Sequence, residues 1–94
     1  MDELKLNQLQ TFAEVIAHGS FSAAAERLHI SQPAVSLQVR ELEKRLGVRL
    51  IERVGKRATP TAAGEQLVIH AKRIGEAVAE WSRRLSGQAP SASP

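Results

Sequence analysis

Residues 31–47 read SQPAVSLQVRELEKRLG, a segment with both helix ends marked. Ser31 can accept from the free amides of a first turn. Pro33 stands just inside the start, where a missing amide costs little and a fixed φ suits the helix. Gly47 follows the last apolar residue and suits the left-handed position beyond a helix end. Val35, Val39, Leu42 and Leu46 are spaced four, three and four apart and make one apolar stripe. At about 100° per residue, Pro33, Leu37, Arg40 and Lys44 fall opposite that stripe, with Ser36 on its flank. A helix bedded by one face, with small polar, basic and one apolar side chain on the other, suits the major groove of duplex DNA, which is about 12 Å wide. The plainer alternative is that Arg40 and Lys44 only solvate a surface, paired with Glu41 and Glu43.

The segments before this helix favour the groove. Leu6, Leu9, Phe12, Ala13 and Ile16 have helical spacing, so a first helix is predicted from Leu6 to His18, ended by Gly19. Ser20 and Ser22 offer caps for a short second helix whose Ala24, Ala25 and Leu28 face inward, with Phe21 as a core anchor. The small side chains of Ala23, Ala24 and Ala25 let another helix approach closely. A short helix, a turn at His29-Ile30 and a longer capped helix with a polar outer face make a helix-turn-helix.

After Gly47 the period changes. Leu50–Arg53 and Arg57–Pro60 flank Val54-Gly55-Lys56 and read as a β-hairpin with Gly55 in its turn. Too short to stand alone, it needs the helices beside it and becomes a wing. Its Arg53, Lys56 and Arg57 are placed to reach a phosphate or a minor groove, whose negative potential favours Arg.

Thr61 caps a last helix that runs to about Leu85. Leu67, Ala71, Ile74, Val78, Trp81 and Leu85 alternate four and three apart, an a/d seam of nearly three heptads. Such a helix would reach roughly 36 Å, and beyond about Ile74 no further helix is left to cover it. A homodimer through this seam is the expected solution. From Ser86 the chain reads SGQAPSASP, the composition of a flexible tail or hinge.

Composition narrows the classes. Ninety-four residues make one small domain, and with 43% apolar but only three aromatic residues the core is built of Ala, Leu, Val and Ile. There is no cysteine, and His18, His29 and His70 lack ligand spacing, so neither a disulfide nor a metal is expected and no cofactor is implied. The acidic residues are scattered, and neither a Gly-rich phosphate loop nor a nucleophile beside a base is present, so an enzyme is not expected. No apolar run approaches the roughly 18 residues that cross a bilayer. Asp2 and Glu3 stand where a signal peptide is basic, so a cytoplasmic protein is expected. Between Arg40 and Arg57 seven basic residues face three acidic ones, a net +4, whereas the whole chain carries +3. Positive charge is concentrated where a phosphate backbone would lie.

GSFSAAAERL, SQPAVSLQVRELEKRLGVRLIER and TPTAAGE, in that order and spacing, closely resemble the N-terminal DNA-binding domain of LysR-type bacterial transcriptional regulators, over about residues 4 to 86. The resemblance implies a mainly α fold: a winged helix-turn-helix over 1–60, a dimerising linker helix over 61–86 and a hinge or tail over 87–94. Members of that family carry a C-terminal domain that binds a small-molecule inducer, so this chain is expected to be one piece of such a regulator. The family's groove contacts place Ser31, Gln32, Pro33, Ala34, Ser36, Leu37 and Arg40 near DNA. Gln32 is suited to an adenine edge, and Pro33 or Ala34 to a thymine methyl. The family's wing arginine falls on Arg53, with Lys56 and Arg57 as further contacts, and Ser20 and Ser22 are suited to phosphate. Where many members have arginine after the Ser36 equivalent, this chain has Leu37, which is suited to a thymine methyl or sugar. The expected function is sequence-specific binding of a partly palindromic promoter site by a dimer. The rival is a winged-helix protein-interaction module without specific DNA binding.

Overall fold

The computed structural model describes residues 5–88. Three helices form the core: α1 (Leu6–His18), α2 (Phe21–Leu28) and α3 (Gln32–Leu46). A hairpin of β1 (Ile51–Val54) and β2 (Arg57–Pro60) follows, and α4 (Ala62–Gln88) completes the chain. No helix among the described residues is long and apolar enough to cross a membrane.

The helix ends obey local rules. Gly19, at φ 66°, closes α1, with its amide on Ile16 and that of Ser20 on the Val15 carbonyl. His29 closes α2 at φ 60°, a left-handed position that costs a side-chain-bearing residue roughly 1 kcal/mol. Gly47 closes α3 at φ 73°. Ser20 alone caps α2; Ser22, the other predicted cap, lies inside the helix and faces outward. The first strand begins at Ile51 rather than at Leu50, which is buried below it. Ile51 pairs with Pro60 and Val54 with Arg57, leaving Gly55-Lys56 as a two-residue turn with positive φ at Gly55.

The core gathers Phe12 and Val15 from α1, Ala24 from α2, Val35 and Leu42 from α3, and Leu50 beneath the hairpin. The α3 stripe packs as its spacing predicts, with Leu46 at its edge. The register of α1 differs from the predicted one. Leu6 is exposed and Val15 takes its place in the core, while Gln8 and Thr11 are buried against α3. Gln8 Nε2 donates to Glu41 Oε1 at 3.2 Å, and the Thr11 hydroxyl donates to Gln38 Oε1. Two polar bridges therefore fix how α1 sits on α3, a geometry that apolar periodicity does not register.

The start of α4 is rooted by Thr61. Its hydroxyl donates to the Arg49 carbonyl at 2.6 Å and accepts from the Gly64 amide at 3.0 Å, while its own amide donates to the Leu50 carbonyl at 3.0 Å. Gly64 is buried against the chain that leads into β1: a Cβ there would lie 2.1 Å from the Leu50 oxygen. Leu67 and Val68 pack on the core, and beyond Ala71 the helix is exposed as far as Ser86. α4 runs three residues past the predicted end at Leu85, and the tail predicted over 87–94 lies outside the described residues from 89 onward.

The predicted seam divides into three parts. Leu67 joins the core of its own chain. Ala71, Ile74 and Val78 form one wall of an apolar groove of about 250 Å³ whose other wall is Leu6, Leu9 and Ala13 of α1. α1 flanks this stretch without covering it: Leu6, Ile74 and Val78 stay exposed, in keeping with the expectation that the part beyond about Ile74 has no helix to cover it. Trp81 and Leu85 lie past the end of α1 and are exposed. Gly64→Ala is expected to lower stability by about 1–3 kcal/mol or more, because the clash is with backbone that cannot rotate away; urea denaturation followed by circular dichroism measures it.

Candidate nucleic-acid interface

The start of α2, the start of α3 and the hairpin open on the same side of the molecule. Ser31 caps α3, its hydroxyl oxygen accepting from the Ala34 amide at 3.1 Å, and Ser20 caps α2 by accepting from the Ala23 amide at 3.1 Å. Two further serines bridge elements. The Ser22 hydroxyl donates to Gln32 Oε1 at 2.9 Å, from α2 to the first turn of α3. Ser36 Oγ accepts from Arg53 Nη2 at 3.1 Å, from α3 to the wing. The Arg53 guanidinium lies 3.9 Å from the centre of the Phe21 ring. Such a stack contributes about 0.5–1 kcal/mol at an exposed site and holds the planar group in one attitude. Arg53 therefore stands against α2 and α3 rather than swinging from the hairpin.

These contacts outline two open clefts. Ser20, Phe21, Ser22, Gln32, Arg53, Gly55, Lys56 and Arg57 line the larger, of about 490 Å³. Phe21, Ser36, Val39, Arg40, Glu43, Arg49, Ile51 and Arg53 line the smaller, of about 290 Å³, between α3 and β1. The structure thus brings together Ser20, Ser22, Gln32, Ser36, Arg40, Arg53, Lys56 and Arg57. Ser31, Pro33, Ala34 and Leu37 line neither cleft and sit on the projecting first turns of α3. Leu37 is half exposed, on the outward face that its position predicts.

The electrostatics rest on where two carboxylates point. Glu43 Oε2 accepts from the Leu50 amide at 2.8 Å and the Ile51 amide at 3.2 Å, with Arg49 Nε 3.9 Å away. Glu41 accepts from Gln8. Among the described residues neither carboxylate forms an ion pair with Arg40 or Lys44, so the plainer reading of those cations as solvated pairs does not describe this face.

Two participants escape a reading by residue type. Phe21 is both a core residue and the platform under Arg53. Glu43 looks like one more charge in RELEKRL, yet it binds the backbone that starts the wing. The available signal was its place beside Leu42 on the rim of the α3 stripe.

Residues 6–65 match the family of bacterial regulatory helix-turn-helix proteins of the lysR type. The chain belongs to the LysR family. A RuBisCO operon transcriptional regulator of Allochromatium vinosum is 46% identical over 82 residues, which is 87% of this chain and 27% of that relative. The transcriptional regulator CfxR of Cupriavidus necator is 52% identical over 71 residues, 76% of this chain and 22% of the relative. The chain therefore spans about a quarter of the length of these relatives. Among solved structures, the CbnR DBD–DNA complex superposes with a TM-score of 0.83 at 38% identity, covering 90% of this chain and 98% of that one. The BenM DBD bound to benA site 1 DNA gives 0.86 at 30% identity, covering 92% and 100%. The mainly α winged architecture of this LysR-family chain is thus shared with DNA-bound relatives.

In the LysR-family fold seen here the wing stands where the Glu43 carboxylate holds it. Glu43→Ala leaves two amides without that acceptor, and hydrogen bonds to a charged group are each worth about 1.5–3 kcal/mol. The expected result is faster hydrogen exchange at Leu50 and Ile51 than at the amides of α1, together with a lower urea midpoint.

Proposed function

We propose that this chain is the DNA-binding part of a LysR-family transcriptional regulator and that it reads duplex DNA as a homodimer. One observation carries the reading: Ser20, Ser22 and Gln32, from the starts of α2 and α3, share one open cleft with the wing cations Arg53, Lys56 and Arg57. In this reading α3 enters the major groove by its first turns, which puts Gln32, Pro33, Ala34, Ser36 and Leu37 at base edges. Arg40 flanks the groove. Arg53, Lys56 and Arg57 meet the backbone or adjacent minor groove, and Ser20 and Ser31 face phosphate beside the helix starts that they cap. The complexes of CbnR and BenM with DNA support this reading, as do the relatives named as transcriptional regulators. The reading assigns the chain no catalytic role and a place in the bacterial cytoplasm, where the DNA is.

The dimer forms through α4. Ala71, Ile74 and Val78, facing α1 across an open apolar groove, and the exposed Trp81 and Leu85 are the surface that a second copy would bury, with Leu67 beneath them. An isologous two-fold pair predicts an inverted repeat whose half-sites lie on one side of the duplex, one or two helical turns apart. The domain division follows: a reading unit up to Pro60 and a linker helix over 61–86.

Selection from a random duplex library at about 100 mM salt, followed by sequencing, tests the proposal. The expected result is an enriched inverted repeat; a folded chain that enriches nothing would overturn it in favour of an interaction module. If a dimer covers six to ten phosphates, its affinity for the enriched duplex falls roughly 10³- to 10⁵-fold between 50 and 200 mM salt. Arg53→Ala is expected to weaken binding to both enriched and random duplexes and to reduce the salt slope by about 1 per protomer. The pair Ile74→Asp and Trp81→Asp is expected to give a folded monomer by sedimentation.

A further inference from the structure

We infer that Ser22 is a positioning residue for base reading, acting through Gln32, and not a phosphate contact. The inference deepens the proposed reading of DNA and rests on it. Gln32 is an exposed residue at the first position of α3. A glutamine there has three rotatable side-chain bonds, so by itself it meets a base edge only after losing that freedom. The Ser22 hydroxyl donates to its Oε1 at 2.9 Å. The bond ties the amide to α2, an element that packs on α3 through Ala24 and Ala25.

The chemistry of the bond sets what the amide can offer. Serine has a single hydroxyl proton, and that proton is on Gln32. The Ser22 hydroxyl is therefore committed as a donor, which is the role that a phosphate oxygen would need from it. The Gln32 carbonyl has two lone pairs, of which Ser22 engages one, and its NH₂ keeps both protons. One acceptor site and the donor remain for the groove. That is the set a glutamine needs to meet an adenine, accepting from N6 and donating to N7. Both partners line the larger cleft, beside Arg53 and Lys56. Ser22 thus performs on α2 the service that Arg53 performs for Ser36 on the wing side, where Ser36 Oγ accepts from Nη2 and its own proton is left to donate outward.

The test compares the wild-type chain with Ser22→Ala, Ser22→Thr and Gln32→Ala by random-duplex selection at about 100 mM salt. It then titrates each protein against the duplex that the wild type enriches, across salt. Circular dichroism verifies folding, which an exposed helical Ser→Ala change favours. If the wild type enriches no sequence, the DNA-reading proposal itself fails. Where it does enrich one, Gln32→Ala is expected to flatten one base position per half-site, a loss of roughly 5- to 150-fold in discrimination. Ser22→Ala is expected to flatten the same position by roughly two- to tenfold, the size of effect expected from ordering one side chain in advance. The salt slope is expected to stay unchanged, and Ser22→Thr, which keeps the hydroxyl, to restore discrimination. Uniform weakening of all sequences with a slope reduced by about 1 would make Ser22 a phosphate contact and overturn the inference. Flattening at a position that Gln32→Ala leaves intact, or no change at all, would overturn it equally.

Discussion

A single carboxylate decides where the wing stands. Glu43 leaves α3 on the rim of its apolar stripe and accepts from two successive amides, those of Leu50 and Ile51. These are the last residues before the hairpin turns outward, so the wing is anchored to the helix whose outer face it extends. Much depends on that anchor. The Leu50 carbonyl accepts from Thr61, which caps α4, and Gly64 rests on the same carbonyl. Helix, wing and linker helix thus converge on one peptide unit. A two-stranded hairpin of four residues per strand has little stability of its own, and here its direction comes from the helices below it.

Five of the hydroxyl groups described above divide into two sets. Ser20, Ser31 and Thr61 turn inward to the first amides of α2, α3 and α4, and so define where each helix begins. Ser22 and Ser36 turn sideways, each to a longer side chain on another element. The first set determines the fold; the second fixes the attitude of groups that the fold exposes. Neighbouring serines with the same chemistry thus do different work according to their place on the helix.

Much of this was legible from the chain. The caps at Ser20, Ser31 and Thr61, the glycine at 47 and the α3 stripe all follow from residue type and spacing, because they are local and obey the period of one helix. The hairpin was legible from its glycine, within one residue at the start. The register of α1 was not. Its pattern offered Leu6 as readily as Val15, and the choice is made by polar bonds from Gln8 and Thr11 to α3. The candidate site was readable as a set of residues and not as a network. Serine, glutamine and arginine at those positions indicated a polar, basic face, but which of them bind each other depends on distances between elements. Gly64 shows the same limit: a glycine in TPTAAGE reads as a helix start, whereas its reason is the carbonyl that lies against it.

The shallow rooting of α4 has a mechanical side. Its first turns are held by Thr61, Gly64, Leu67 and Val68, α1 flanks it across an open groove as far as Val78, and the helix extends roughly 30 Å beyond Val68. A rigid rod clamped at one end is a cantilever. Tilting it by about 5° at the clamp displaces its far turns by about 3 Å, and the reverse holds as well. The clamp sits on the Leu50 peptide, the same unit that Glu43 uses to aim the wing. Force applied to the distant turns of α4 is therefore delivered, with the leverage of the whole rod, to the base of the wing.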